Sequence, residues 1–226
     1  MEESQTLKNG RIYLKDKPSI ILGISPGNPF FYKMENLVKM LGFSKNNSDH
    51  KVLLFLPDKI SQHNYRAVGS SNPEKSARLK ANRLRNKCKE AIRSCGIERA
   101  EFINWSHDVE TSTSYTDAFN HVKHLYQVNN QFQKDVQEST QSALVSLKIG
   151  RDKNMLKSSE NMTIDMAEGV KYVLKELAFL SVVSDIYEGC EKFVFVYHRP
   201  WSVLEKFFDG GYDKISRTSL GLYVLE

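Results

Sequence analysis

The stretch Ser19-Ile20-Ile21-Leu22-Gly23-Ile24-Ser25-Pro26-Gly27-Asn28-Pro29 decides how this 226-residue chain folds. Its apolar first half does not alternate with polar residues, the pattern of a strand covered on both faces. Asn28 suits a helix N-cap and Pro29 the first helical position, so a helix is predicted over 28–41, closing at Gly42. A strand that feeds straight into a helix is the unit of a doubly wound parallel sheet, which binds ligands beyond the carboxyl ends of its strands. Ser25 stands at such an end, inside the pattern G-x-S-x-G. In serine hydrolases that pattern holds the hydroxyl on a sharp turn, and the N–H of the following residue helps bind the oxyanion. The following residue here is Pro26, which has no N–H. Ser25 is therefore a candidate nucleophile for something other than ordinary ester hydrolysis.

Working outward, three more apolar runs read as strands, at 51–56, 100–105 and Lys192–Tyr197. Helical patterns lie between them at Pro73–Cys95, 115–148 and 163–188, the last stopping at Gly189. The alternation predicts an α/β fold: one Rossmann-like parallel sheet flanked by helices, a single domain over 1–226, with 1–17 as a flexible N-terminal extension. Neither G-x-G-x-x-G nor G-x-x-x-x-G-K-[ST] follows any strand, so no common phosphate cradle is present and no cofactor is expected.

The bulk numbers agree with a soluble domain. At 40% hydrophobic content the chain can bury a sizeable core. Runs such as Phe193-Val194-Phe195-Val196 fall far short of the roughly 18 to 20 residues that span a bilayer, so no membrane partner is expected. The opening MEESQTLKNG lacks the basic and apolar regions of a secretory signal, which predicts a cytoplasmic site. Cys88, Cys95 and Cys190 form no C-x-x-C pair and read as reduced, buried thiols.

The net charge of +5 is concentrated in one segment. Residues 73–95, PEKSARLKANRLRNKCKEAIRSC, carry eight Lys or Arg against two Glu. At about 100° per residue, Ala77, Ala81, Leu84, Cys88, Ala91, Ile92 and Cys95 form one apolar stripe. Arg78, Arg85, Lys89 and Arg93 cluster on one flank, and Lys80, Arg83 and Lys87 on the other. A solvated helix face would intersperse acids and bases, whereas like charges at i,i+4 are mildly destabilising. Such packing points to a polyanionic partner. No base-reading motif of a DNA-binding class is present, and RNA held by its backbone fits better than DNA.

On the last long helix, Tyr172 and Glu176 are neighbours at i and i+4, on a face that continues through Phe179 and Val183. Glu176 is either a surface carboxylate paired with Lys171 or Lys175, or the partner of a ligand ammonium. The strand Lys192–Tyr197 delivers Tyr197 and His198 to the same sheet edge as Ser25. Asp117, His121 and His124 have a helical spacing open to metal ligands, but such a match arises often by chance, and no metal site is assigned.

Together these residues resemble the cyclodipeptide synthases, from about Ser19 to the C-terminus: GISPGN after the first strand, Tyr172-x-x-x-Glu176 on a late helix, Tyr197-His198 after a late strand, and a basic helix between. The family is similar to the catalytic domain of tyrosyl- and tryptophanyl-tRNA synthetases without the ATP chemistry, and neither HIGH nor KMSKS occurs here. The resemblance implies an ATP-independent aminoacyltransferase that uses two aminoacyl-tRNAs to make a 2,5-diketopiperazine. Ser25 would carry the first aminoacyl group as an ester and then a dipeptidyl unit. Tyr172 and Glu176 would hold its amino group, and Tyr197 would position the reacting groups. Asn28, Tyr197 and His198 resemble the Asn-Tyr-His subgroup, and Gly23 its small residue beside the nucleophile. By approximate alignment Ile21, Leu54, Leu56, Trp105 and Phe179 would line the first-residue pocket, and the basic helix would carry the tRNA. Ala178 departs from the proline common in relatives, and Pro200 from an aspartate found in one. The assembly expected is a monomer or weak dimer. The competing reading is a serine hydrolase of aminoacyl or peptidyl esters.

Overall fold

The computed structural model describes residues 15, 17–152, 164–187, 192–212 and 219–225, with the backbone alone from 148 to 152. The elements are β1 (Ser19–Gly23), α1 (Met34–Asn47), β2 (Val52–Phe55), α2 (Ser61–Ala67), α3 (Pro73–Cys95), β3 (Ala100–Phe102), α4 (Thr113–Val128), α5 (Asn130–Asp152), α6 (Met166–Ser181), α7 (Val183–Ile186), β4 (Lys192–Tyr197), α8 (Ser202–Phe208) and β5 (Ser219–Val224). The five strands form one all-parallel sheet in the order β3-β2-β1-β4-β5. The order turns back at β1, whose neighbours β2 and β4 lie on opposite sides, and a crevice opens at that switch point. Ser25 leaves β1 and Tyr197 ends β4 at this point.

Alternate residues of each buried strand enter opposite layers. Ile21, Leu53, Phe55, Phe193 and Phe195 pack with α4, α5, α6 and α8. Ile20, Leu22, Val52, Leu54, Val194 and Val196 pack with α1 and α3. Among the described residues no helix is long and apolar enough to cross a membrane.

Several predicted boundaries shift. The helix expected over 28–41 is a 3-10 turn at Pro29–Tyr32, an extended Lys33, and then α1. Gly42 does not end α1, because Phe43 stacks on Tyr223 and Ser44 is buried, holding the next turn in place. The single helix over 115–148 is two, broken at Asn129, whose side-chain oxygen accepts from the Phe132 N–H and starts α5. The strand over 100–105 ends early because Asn104 caps a π-helical turn at Trp105–Val109. The last long helix starts at the Asp165 N-cap and stops at Ser181. Residues 1–14, Thr163, Glu188, Gly189 and Cys190 lie outside the described residues. Strand β5 was not predicted: Gly221 interrupts its apolar run.

Candidate active site

Ser25 sits on a turn whose shape follows from its composition. Pro26 fixes its own φ, Gly27 adopts φ +101, and the Asn28 N–H donates to the Ser25 carbonyl at 3.2 Å, the signature of a type II turn. Gly27 is required twice over. Its φ is left-handed, and an added Cβ would come within 2.7 Å of Leu147 and 3.0 Å of the Tyr65 hydroxyl. Asn28 then works at both ends of its amide. Its oxygen accepts from the Phe30 N–H at 3.0 Å, so its NH₂ group donates to His198 Nε2 at 3.0 Å. That fixes Nε2 as an acceptor in a neutral imidazole. Burial and the nearby Arg199 charge hold His198 at about 4, which agrees with the neutral ring. Phe30 stacks on the ring at 4.7 Å and Phe31 meets its edge at 4.9 Å.

The Ser25 hydroxyl meets the Tyr197 phenol at 2.9 Å. Ser25, Tyr172, Glu176 and Tyr197 line one open cavity, as the i,i+4 spacing of Tyr172 and Glu176 requires. Glu176 is 8% exposed and makes no ion pair with Lys171 or Lys175, which removes the surface-carboxylate reading. Burial raises its pKa to about 8, although a hydrogen bond from Tyr172 and the charge of Arg199 oppose the shift. The Tyr172 phenol is raised well above its ordinary value, by burial and then by the charge of Glu176. Tyr197 is raised too, first by burial.

The register of α6 is set one turn earlier. Glu168, 6% exposed, accepts from His63 Nδ1 at 2.7 Å and Arg66 at 2.6 Å on α2, and from Lys171 at 2.5 Å. Burial alone would raise Glu168, but these donors pull it down to about 2. A charge held this firmly ties α2 to α6, and Ser61 and Asn64 of α2 form the adjoining cavity wall.

Not every predicted site residue lands here. None of Gly23, Ile21, Leu54, Leu56, Trp105 and Phe179 lines the open cavity. Ile21, Trp105 and Phe179 pack in one layer, where Phe55 lies 6.0 Å from Trp105 and 5.0 Å from Phe179. Leu54 and Leu56 belong to the other layer, because neighbouring strand residues face opposite ways; Phe55 stands where Leu54 was expected. Gly23 acts from behind: a Cβ there would come within 2.5 Å of Phe195 and 2.9 Å of Tyr197. Gly23→Ala should therefore displace the Tyr197 ring from Ser25. We expect a loss of roughly 1 to 3 kcal/mol in thermal or denaturant unfolding, and a larger proportional loss of turnover.

Sequence reasoning missed Arg199, Ser139, Ser142 and Trp201 on the cavity wall. The Trp201 indole N–H donates to Ser139 at 2.7 Å and closes the gap between α5 and the segment after β4. The signal available was the row of small residues Ser139, Ser142, Ala143 and Ser146 at helical spacing, and the cation beside His198.

The basic helix α3 forms over the predicted range, capped by Asn72 and ended by Gly96 at φ +59. Ala77, Ala81, Leu84, Cys88 and Ala91 are buried, while Arg78, Lys80, Arg83, Lys89 and Arg93 are exposed. Arg85 is half-buried, pairs with Asp58 at 3.2 Å and lies 5.5 Å from the Phe102 ring centre. Lys80, Arg83 and Lys87 share a groove with Gly27, Pro29 and Tyr32, beside the Ser25 turn. Burial raises the Cys88 thiol to about 12, leaving it inert. Asp117, His121 and His124 are exposed, and the described residues hold no cluster of three metal-ligating side chains.

The family model described as cyclodipeptide synthase matches residues 5–224. No curated protein matches the chain significantly. Among solved structures, a cyclodipeptide synthase from Bacillus thermoamylovorans is 25% identical with a TM-score of 0.79, covering 98% of this chain and 94% of that one. A cyclodipeptide synthase from Staphylococcus haemolyticus is 20% identical with a TM-score of 0.75, over 97% and 95% of the two chains. The enzyme from Candidatus Glomeribacter gigasporarum, solved bound to Phe-tRNAPhe, is 17% identical with a TM-score of 0.61, over 92% and 88%.

Proposed function

The chain belongs to the cyclodipeptide synthase family, and from that premise we propose that it joins two aminoacyl units, each delivered by a charged tRNA, into a 2,5-diketopiperazine through an ester on Ser25. The observation that carries this reading is the 2.9 Å contact between Ser25 and Tyr197 in a cavity shared with Tyr172 and Glu176. The pairing of Asn28 with His198 beside Tyr197 supports membership of the Asn-Tyr-His subgroup.

The chemistry runs in three transfers. The Ser25 oxygen bonds to the acyl carbon, the bond from that carbon to the ribose oxygen breaks, and the ribose oxygen takes up the hydroxyl proton. The aminoacyl ester is already activated, so positioning and proton transfer remain for the protein to supply. Tyr172 and Glu176 then hold the amino group of the bound unit. A free α-amino group titrates at about 7.7 to 8.0, close to the value of about 8 for Glu176. Burial thus moves the carboxyl toward the range of the amine it must deprotonate, as a general base requires. The neutral amine attacks the second aminoacyl ester and releases its tRNA, and the new terminal amine attacks the Ser25 ester, closing the ring and freeing the hydroxyl.

Hydrolysis is less well supported, since the Ser25 hydroxyl meets a tyrosine and the nearby His198 Nε2 is engaged by Asn28. Incubation with charged tRNA, followed by mass spectrometry, separates the two. Cyclic dipeptide is the expected product, and free amino acid alone would favour the hydrolase.

The α3 groove gives the RNA a route. Arg85 is engaged by Asp58, while Lys80, Arg83 and Lys87 open toward the Ser25 turn. Replacing Lys80, Arg83 and Lys87 together by Ala should weaken charged-tRNA use by more than about tenfold and lower the log–log salt slope by roughly 2. The charge-matched Arg78, Lys89 and Arg93 triple should change both much less in the same titration.

A further inference from the structure

The turn that carries Ser25 is poor in hydrogen-bond donors. Pro26 has no N–H. The Gly27 N–H faces the Tyr32 phenol, and the Asn28 N–H donates to the Ser25 carbonyl. The Asn28 side-chain amide is engaged by His198. The Ser25 N–H and the second N–H of that amide remain, both neutral donors. A negative charge developing on the acyl oxygen is met more strongly by a charged donor from another element.

Arg199 answers this need. It is the cation among the described residues that line the cavity, and its charge acts on the Tyr197 phenol, which in turn contacts Ser25. Among the described residues no carboxylate lies within 4.0 Å of it as an ion-pair partner, although Glu176 feels its charge. It is half-buried, where a charge interaction is stronger than in water. Its backbone is held on both sides. His198 is fixed by Asn28 and the Phe30 stack, and Trp201 by its bond to Ser139.

We propose that the Arg199 guanidinium binds the carbonyl oxygen of the aminoacyl group as that oxygen becomes an oxyanion during transfer to Ser25. This rests on the function proposed above. In the step, the bond from Ser25 to the acyl carbon forms, the bond to the ribose oxygen breaks, and the proton passes from the serine to the ribose oxygen. Arg199 gives up no proton; it supplies hydrogen bonds and charge, which fade when the carbonyl re-forms.

The test is single-turnover acylation of Ser25 by charged tRNA, quenched in acid and read by intact-protein mass. At saturating charged tRNA, Arg199→Gln should lower the acylation rate by about 100-fold, the usual effect of losing one oxyanion donor. Arg199→Lys should lose less, and the Kd for charged tRNA and its salt slope should stay near wild type. Partial rescue of Arg199→Ala by added guanidinium, absent in Ser25→Ala, would add support. Wild-type acylation by Arg199→Gln at saturation overturns the proposal. So does a loss confined to Kd with a salt slope reduced by about one, which would place Arg199 on a phosphate. If Arg199→Gln fails a melting check, Arg199→Lys carries the comparison, and an undiminished rate there, with Kd alone raised, also overturns the proposal. A wild-type protein that makes cyclic dipeptide without any Ser25 adduct would instead sink the functional reading, and this inference with it.

Discussion

Ser25→Ala should abolish cyclic dipeptide formation, with a loss of about 10³-fold or more, the scale on which removing a nucleophile is felt. Little stability should go with it. The side chain is partly exposed and its hydroxyl bonds to the Tyr197 phenol, so the melting temperature should move by no more than a few degrees. The variant should also retain tRNA binding, because the α3 groove is untouched. Retained product formation in assays of purified protein would remove Ser25 from the mechanism.

Glu176→Gln should be nearly as damaging to turnover, by about 10² to 10⁴-fold, the usual range for a lost general base. Its pH behaviour is more telling. In the free wild-type protein Glu176 is protonated until about pH 8, so kcat/KM should climb with pH through that region, and the climb should vanish in Glu176→Gln. Stability should move the other way. The ordinary carboxyl value of 4.5 applies to the unfolded chain and about 8 to the folded one. Between these values the native state holds more protons than the unfolded state, so wild-type stability should fall as pH rises from about 4.5 to about 8. Glu176→Gln removes that loss. Its melting temperature should match wild type near pH 4.5 and exceed it at pH 8 and above, by roughly 2 to 4 °C for each kcal/mol recovered. Equal melting temperatures at both ends would mean the carboxylate is satisfied in the empty site, contrary to its burial.

The parts legible in the sequence share a local cause. Pro26, Gly27 and Asn28 specify a turn by their own backbone chemistry, and the apolar strand before them specifies a buried parallel strand. The i,i+4 spacing of Tyr172 and Glu176 needs nothing but the helix, and the caps of α3 at Asn72 and Gly96 are likewise local. Features set by contacts between distant elements were hidden. Leu54 and Leu56 were assigned to the wrong layer because a buried run such as 52–56 is apolar on both faces, so its composition cannot say which residue meets Trp105. Phe55 does. Arg199 stood in plain view between His198 and Pro200, but its place in the cavity depends on β4 lying beside β1. The Ser139 and Ser142 wall depends in the same way on α5 folding back toward the segment after β4, which Trp201 secures. Asn129 split one expected helix in two through a cap that competes with continued helix, and propensity alone did not favour either outcome.

The most direct measurement is the mass of the tryptic peptide of residues 16–33 after brief reaction with tRNA charged with a labelled amino acid and an acid quench. We predict a labelled aminoacyl ester on Ser25 that appears before the cyclic product and disappears as that product accumulates. Cyclic dipeptide formed while this peptide stays unmodified, or an ester carried by another residue, would contradict the account.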